Sequence, residues 1–284
     1  MYISTEMSSF YRLGSLEKVL DLLKESGFTA FDFSMFGGLS HELLLADDYK
    51  EKARALRNYA DGLGLPCNQA HAPFPTVRKG DEEFNEKMFP KVCRAIEVAG
   101  ILGAKVCVVH PCNDYTAEEN AELYKKFEPV ARKAGVKIGV ENMFNGIDPQ
   151  TNFQTPAACS HHADFRRHLE LLPRDVFVAC LDIGHAELCG LNTSAVQMIE
   201  TLGDRLEAIH LHDNDKLRDR HQVPFSHGID FGVVIAALKK VGYKGDITME
   251  SDRFAANAPV ELIPAAGKYL ACVAEYFRSK VCAE

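Results

Sequence analysis

Gly135-Val136-Lys137-Ile138-Gly139-Val140-Glu141 decides the fold: a helix-stopping glycine, a lysine, a short apolar run, and one acidic side chain where the run ends. The phrase recurs. Gly27-Phe28, Gly103-Ala104-Lys105 and Gly242-Tyr243-Lys244 each close an amphipathic stretch and open a short β-branched or apolar run, the pattern of a parallel sheet buried under helices. Eight runs are predicted as strands: Tyr2–Glu6, Ala30–Phe36, Pro66–Ala72, Lys105–Pro111, Lys137–Met143, Phe177–Ile183, Leu206–His212 and Asp246–Ser251. Between them lie helical patterns with start and stop signals. Ser15 is placed to cap Leu16-Glu17-Lys18-Val19-Leu20, with Gly27 after the last turn, and Gly-terminated helices are expected over Ala53–Gly64, Glu83–Gly103 and Phe231–Gly242. Eight β/α units in 284 uninterrupted residues point to an α/β fold of one domain, residues 1–284, closed as a (β/α)8 TIM barrel.

Composition narrows the function classes. A net charge of −8 with 25% charged residues lacks the positive field that strengthens binding to phosphodiester backbones, so nucleic acid is a disfavoured partner. No stretch approaches the roughly 18 apolar residues of a membrane span, and Met1 to Phe10 lacks a basic segment followed by an apolar core. A cytoplasmic location is expected. The nine cysteines, among them Cys67, Cys93, Cys107, Cys180 and Cys272, include no C-x-x-C pair and read as buried reduced thiols.

Chemistry is concentrated at the downstream strand ends. Side chains alternate along a strand, so a polar residue ending an apolar run projects into the barrel mouth. Glu141 ends Ile138-Gly139-Val140, Asp182 ends Ala179-Cys180-Leu181, His210 ends Glu207-Ala208-Ile209, and Glu250 ends Ile247-Thr248-Met249. Three carboxylates and an imidazole in one cup repel each other unless a divalent cation joins them. A lone glutamate at a strand end is more often a salt-bridged rim residue; four coincident ends favour a metal site. His71 and His110 should point into the same cup from the third and fourth strands. His185 lies three residues past Asp182, and Asp219 and His221 have an i, i+2 spacing in a long loop. Together these could hold a second and third ion. His212 is assigned to the surroundings of the metal or to substrate contact, and His161 and His162 to solvent. Two long connections, Asn145–Ser160 and Asn214–Ile229, leave the same rim as a candidate lid and metal-binding flap. Met35, Phe36, Phe74, Met143 and Phe144 suggest an apolar cover. No G-x-S-x-G elbow or phosphate-cradling glycine loop is found.

The segments His71-Ala72-Pro73, His110-Pro111, Val140-Glu141-Asn142, Leu181-Asp182-Ile183-Gly184-His185, Ile209-His210-Leu211-His212-Asp213, Asp219-Arg220-His221, Gly228-Ile229-Asp230-Phe231 and Met249-Glu250 together resemble the xylose-isomerase-like barrel superfamily. Its members include sugar and sugar-phosphate isomerases and epimerases and the endonuclease IV type of apurinic nuclease. The isomerase branch implies that Glu141, Asp182, His210 and Glu250 hold one divalent ion (manganese, cobalt, magnesium, iron or zinc). It also implies that Glu141 and Glu250 form the acid/base pair and that His185 helps hold a substrate oxygen. The endonuclease branch implies three zinc ions on His71, His110, Glu141, Asp182, His185, His210, Asp219, His221 and Glu250. Every one of those positions is filled here.

The function expected is therefore metal-dependent isomerisation or epimerisation of a small sugar or sugar phosphate. It would proceed by proton transfer through a metal-stabilised enediolate, with Glu141, Glu250 and His185 as catalytic residues. The alternative is multinuclear zinc phosphodiester hydrolysis; a third reading is a binding module without catalysis. Homo-oligomerisation is also expected as an option, since Leu270, Val273, Tyr276 and Phe277 of the final helix could form a dimer seam as readily as they cover the barrel.

Overall fold

The structure is a computed structural model and describes residues 1–283. Eight parallel strands are present where the sequence predicts them, each somewhat shorter: β1 Ile3–Thr5, β2 Phe31–Ser34, β3 Cys67–His71, β4 Val106–Val108, β5 Lys137–Glu141, β8 Phe177–Asp182, β9 Leu206–His210 and β10 Ile247–Met249. Strands β2-β3-β4-β5-β8-β9 pair in sequence order, and β1 pairs with β10. Parallel bridges Glu6↔Asp32 and Leu211↔Met249 join the two sets, so the sheet closes and the fold is the TIM barrel.

Helices α1 Leu16–Ser26, α3 Tyr49–Leu63, α4 Glu82–Leu102, α5 Ala117–Ala134, α6 His162–Glu170, α8 Ala195–Leu202, α9 Phe231–Lys240 and α10 Ile263–Cys282 follow the strands. Their ends obey the expected chemistry. The Ser15 hydroxyl accepts from Lys18 N, Gly27 adopts the left-handed conformation, and Thr116 with Glu119 forms a capping box on α5. Further elements were not foreseen. Helix α2, Gly38–Leu45, follows β2, and the Asn145–Ser160 connection contains most of an antiparallel hairpin, β6 Phe144–Ile147 with β7 Gln154–Pro156. A single helical turn, α7 Ile183–Ala186, follows β8.

Alternation divides the strand residues into two cores. Phe31, Phe33, Cys107, Ile138, Val140, Phe177, Ala179, Leu181, Ile209, Ile247 and Met249 are packed with the helices. The opposite phase, Val106, Val108, Val178, Cys180 and Ala208, forms a separate cluster inside the barrel. That inner phase, continued by two residues, reaches His110, Asp182 and His210. At Gly139 an added Cβ would lie 2.9 Å from Val106 Cγ1, so glycine leaves room for the strand that ends in Glu141.

Two expectations need correction. Met35 is fully buried; its neighbour Phe36, not Met35, faces the rim. Cys272 and Cys282 are exposed rather than buried, and all nine cysteines are free thiols. Leu270, Val273 and Phe277 of α10 are buried against the barrel, which leaves Tyr276 exposed. No helix among the described residues is long and apolar enough to cross a membrane.

Candidate metal centre

Backbone geometry delivers the ligands. His71, Glu141, Asp182 and His210 are the last residues of β3, β5, β8 and β9, while His110 and Glu250 lie just past β4 and β10. Asn142 aligns two of these ends: its side chain accepts from Asp182 N at 2.7 Å and donates to Asp182 O at 2.9 Å. The Asn214–Ile229 loop is held over the mouth by Asp213, a residue the sequence reading did not single out for this role. The Asp213 carboxylate accepts from Asn214 N, His227 N and Ile229 N. Asn214 adds a hydrogen bond to Gly184 O.

All nine sequence-identified metal candidates fall in three groups, the first two sharing Glu141: His71, His110 and Glu141; Glu141, Asp182, His210 and Glu250; and His185, Asp219 and His221, joined by His212. His210 Nδ1 lies 3.0 Å from Glu141 Oε1 and 3.2 Å from Glu250 Oε2. His110 Nε2 is 2.9 Å and His71 Nε2 3.4 Å from Glu141 Oε2. In the flap group, His221 Nε2 is 2.8 Å from Asp219 Oδ2, and His185 Nε2 is 3.7 Å from the same oxygen.

The donor set fits divalent cations. His71, His185 and His221 each donate Nδ1–H to a backbone carbonyl, of Ala72, Asn142 and Glu250 respectively, which turns the Nε2 lone pairs inward. Nε2 of His71 and Nε2 of His110 then face each other at 3.0 Å, a contact that needs a shared proton or a cation. Glu141 Oε2 and Asp219 Oδ1 are buried without a hydrogen-bond donor. Such orphaned acceptors are expensive in a protein interior, and a cation satisfies them.

Electrostatics agree. Burial raises the carboxyl pKa values of Glu141 and Asp182, but His210 and His110 outweigh it at Glu141, and His185 and His212 at Asp182, so both are held well below the usual range. His185 is pushed up to about 10: burial opposes this, and Asp182 and Asp219 overcome it. His221 is likewise held well above its ordinary value against burial, by Asp219 and Asp252. His110 goes the other way, since burial prevails. Without a cation, protons take over the role of balancing charge.

His212 differs from the other histidines. Its Nε2 lies 3.0 and 3.1 Å from the two oxygens of Asp182, and its buried Nδ1 has no partner. That favours orientation of Asp182 over ligation. A Cβ at Gly184 would sit 1.9 Å from His212 Cε1, so only glycine leaves space for this ring. His161 and His162 are remote from the cup and half-buried; His161 Nδ1 caps α6 by accepting from Ala163 N.

Aromatic rings frame the opening. Phe74, 45% exposed, stacks on His110 at 4.7 Å, Phe36 meets His71 at 5.2 Å, and Phe144 meets His185 at 4.9 Å. Buried acids and an amide that the sequence reading passed over, Glu6 just past β1, Asp32 on β2 and Gln69 on β3, lie beside the cup. Gln69 could have been found from its i, i+2 relation to His71. Burial raises Glu6 to about 8 and Asp32 to about 6.

Comparison with known proteins places the chain. A family profile described as "Xylose isomerase-like TIM barrel" matches residues 20–271. An uncharacterised protein, y4fM, of Sinorhizobium fredii is 26% identical over 268 residues, covering 83% of this chain and 81% of that protein. MJ1311 of Methanocaldococcus jannaschii, also uncharacterised, is 27% identical over 197 residues, covering 64% and 63%. Among solved structures, a D-tagatose 3-epimerase-like protein superposes with a TM-score of 0.73 at 22% identity, covering 99% of this chain and 100% of that one. The IolI protein, determined with a zinc atom, gives 0.73 at 17% identity with 99% and 98% covered. A D-psicose 3-epimerase in the presence of D-fructose gives 0.72 at 12% identity with 98% and 99% covered.

Proposed function

The chain belongs to the xylose isomerase-like TIM barrel family, and from that premise we propose that it is a divalent-metal-dependent isomerase or epimerase of a small sugar or sugar phosphate. The observation that carries this reading is the position of Glu141 and Glu250, whose carboxylates come from β5 and the end of β10 to within 3.2 Å of the same His210 nitrogen. Two carboxylates that share a cup can act as a proton-transfer pair on one substrate carbon. The names of the structural neighbours, a D-tagatose 3-epimerase-like protein and a D-psicose 3-epimerase, are consistent with that chemistry.

Glu141, Asp182, His210 and Glu250 would hold the cation, with His71 and His110 or His185, Asp219 and His221 able to hold further ions. When bound, a divalent ion supplies Lewis-acid stabilisation for negative charge on a ketone and its neighbouring hydroxyl, an effect of several kcal/mol. The remaining work belongs to the protein. One of Glu141 and Glu250, as carboxylate, takes the proton from the carbon beside the carbonyl, and the other, as carboxylic acid, delivers a proton of its own; exchange with solvent then restores both. Return to the opposite face inverts the carbon; return to the neighbouring carbon moves the carbonyl. His185, fixed by its bond to Asn142 O, orients a substrate oxygen, while Phe36, Phe74 and Phe144 limit access of water.

Solvent-deuterium incorporation tests the proposal. Glu141→Gln and Glu250→Gln should each reduce exchange at the substrate carbon of a ketose by about 10²–10⁴-fold while circular dichroism stays unchanged. Exchange at the wild-type rate in both variants removes the mechanism.

One observation favours a second reading. The additional groups on His71 with His110 and on Asp219 with His221 are as well assembled as the first, and a multinuclear centre suits phosphodiester hydrolysis. Cleavage of an abasic-site duplex at low salt, dependent on Glu250, would move the assignment there. The net charge of −8 weighs against a nucleic-acid substrate.

A further inference from the structure

His210 is held by a partner of a different kind from those of its neighbours. His71, His185 and His221 give Nδ1–H to backbone carbonyls, which only accept, so the inward nitrogen of each is the one that gives up its proton when a cation binds. His210 instead directs Nδ1 at Glu141 and Glu250 and rests Nε2 at 2.8 Å from the side-chain amide of Gln69. An amide presents either NH2 or oxygen after a half turn. With NH2 toward the ring, Nε2 accepts, the single proton of the neutral imidazole lies on Nδ1 between the two glutamates, and no lone pair faces the cup. With oxygen toward the ring, Nε2–H donates and Nδ1 opens to a cation.

A third residue biases that choice. Asp32 lies opposite Gln69 in the β2–β3 register, and its Oδ2 is 3.2 Å from the same Gln69 Nε2. Asp32 and Gln69 are both buried, and Asp32 Oδ1 has no hydrogen-bond partner. A carboxylate at position 32 attracts the NH2 end and repels the oxygen. A neutral side chain that offers a hydrogen accepts the oxygen end.

We propose that Gln69 is a positioning residue that decides which nitrogen of His210 carries the proton, and that Asp32 sets the orientation of the Gln69 amide. The Asp32–Gln69–His210 line thereby governs how tightly the Glu141, Asp182, His210 and Glu250 group takes a divalent cation. The inference rests on the metal reading above and adds residues that touch neither ion nor substrate.

Mn²⁺ titration of the chelator-stripped protein, followed by the electron paramagnetic resonance of free Mn²⁺, measures the effect. Gln69→Leu leaves the Nε2–H of a cation-bound His210 without the amide oxygen as its acceptor, and should weaken Mn²⁺ binding about 10–100-fold; Gln69→Met provides the same loss of polarity if the leucine variant does not fold. Asp32→Asn carries the sign test. Removal of a negative charge beside a cation site should weaken binding on Coulombic grounds alone, whereas the relay predicts affinity equal to or tighter than wild type. A merely structural role for these residues does not produce that opposite pair. Wild-type Mn²⁺ binding with Gln69→Leu and Gln69→Met within twofold of it, or with Asp32→Asn weakened, overturns the inference and leaves the metal reading standing. Absence of Mn²⁺ binding by the wild type overturns both.

Discussion

Glu6 and Asp32 on one side of the barrel, and Glu141 and Asp182 on the other, are buried carboxylates of a single rim with opposite behaviour. Burial penalises the charge of all four. Glu6 has Ser8 as its donor at 2.6 Å, but Asp252 and Asp32 add to the effect of burial, and it rises to about 8. Glu141 and Asp182 are held well below the usual carboxylate range because His210 and His110, and His185 and His212, surround them. Histidine placement, rather than depth, separates the extremes: Glu6, whose charged neighbours are acids, holds a proton, whereas Glu141 and Asp182 hold negative charge available to a cation, and Asp32, eased by His210 and His71, lies between them at about 6.

The largest expected effect breaks the histidine-rich side. Glu141→Ala leaves His71, His110 and His210 without their shared carboxylate and should destabilise the metal-free protein by about 3–5 kcal/mol at pH 7 in urea unfolding. A loss under 1 kcal/mol would show that the carboxylate is not what balances these rings.

The opposite side should respond with the opposite sign. Folded Glu6 binds its proton more tightly than the unfolded chain does, so its contribution is full below the unfolded pKa and declines as pH rises toward about 8. Glu6→Gln should therefore stabilise the protein by roughly 2–4 kcal/mol at pH 8–9 and by almost nothing near pH 4. A gain independent of pH would contradict the assignment.

Gly184→Ala sharpens the comparison at Asp182. The new Cβ must displace His212, at about 1–3 kcal/mol, and the Asp182 carboxyl should titrate higher once that ring moves. Carbon-13 NMR of labelled aspartate checks the direction. The smallest effect is expected outside the cup: His161→Ala should leave Mn²⁺ affinity within twofold of wild type, because His161 serves only the start of α6.

Much of this was legible in the sequence because two periodicities coincide. Gly135 to Glu141 announces a helix end, a buried strand and a polar tip in seven residues, and the period-two rule then places Glu141, Asp182 and His210 on the inward face. His212 shares that parity with His210 but leaves the strand, and its position over Gly184 depends on a close approach that spacing does not encode. The hairpin of β6 and β7 was hidden because Asn145, Gly146, Asp148 and Pro149 read as loop, and tertiary contact sets its pairing. Asp32 and Gln69 escaped notice because a polar residue inside a strand normally signals an outward face, and Glu6 because Ser4 and Thr5 before it break the apolar run that marks the other strand ends. Here the inner wall of β1, β2 and β3 is itself polar, with Ser4 hydrogen-bonded to Thr248 across the β1–β10 seam and Gln69 reaching His210.

Metal stoichiometry of the purified protein, with its thermal transition before and after chelation, tests the central claim most directly. The account predicts at least one divalent ion per chain, a lower transition temperature after chelation, and recovery with Mn²⁺, Co²⁺ or Zn²⁺ in the wild type but not in Glu141→Ala. A protein that carries no ion, and whose transition ignores both chelator and added cation, contradicts it.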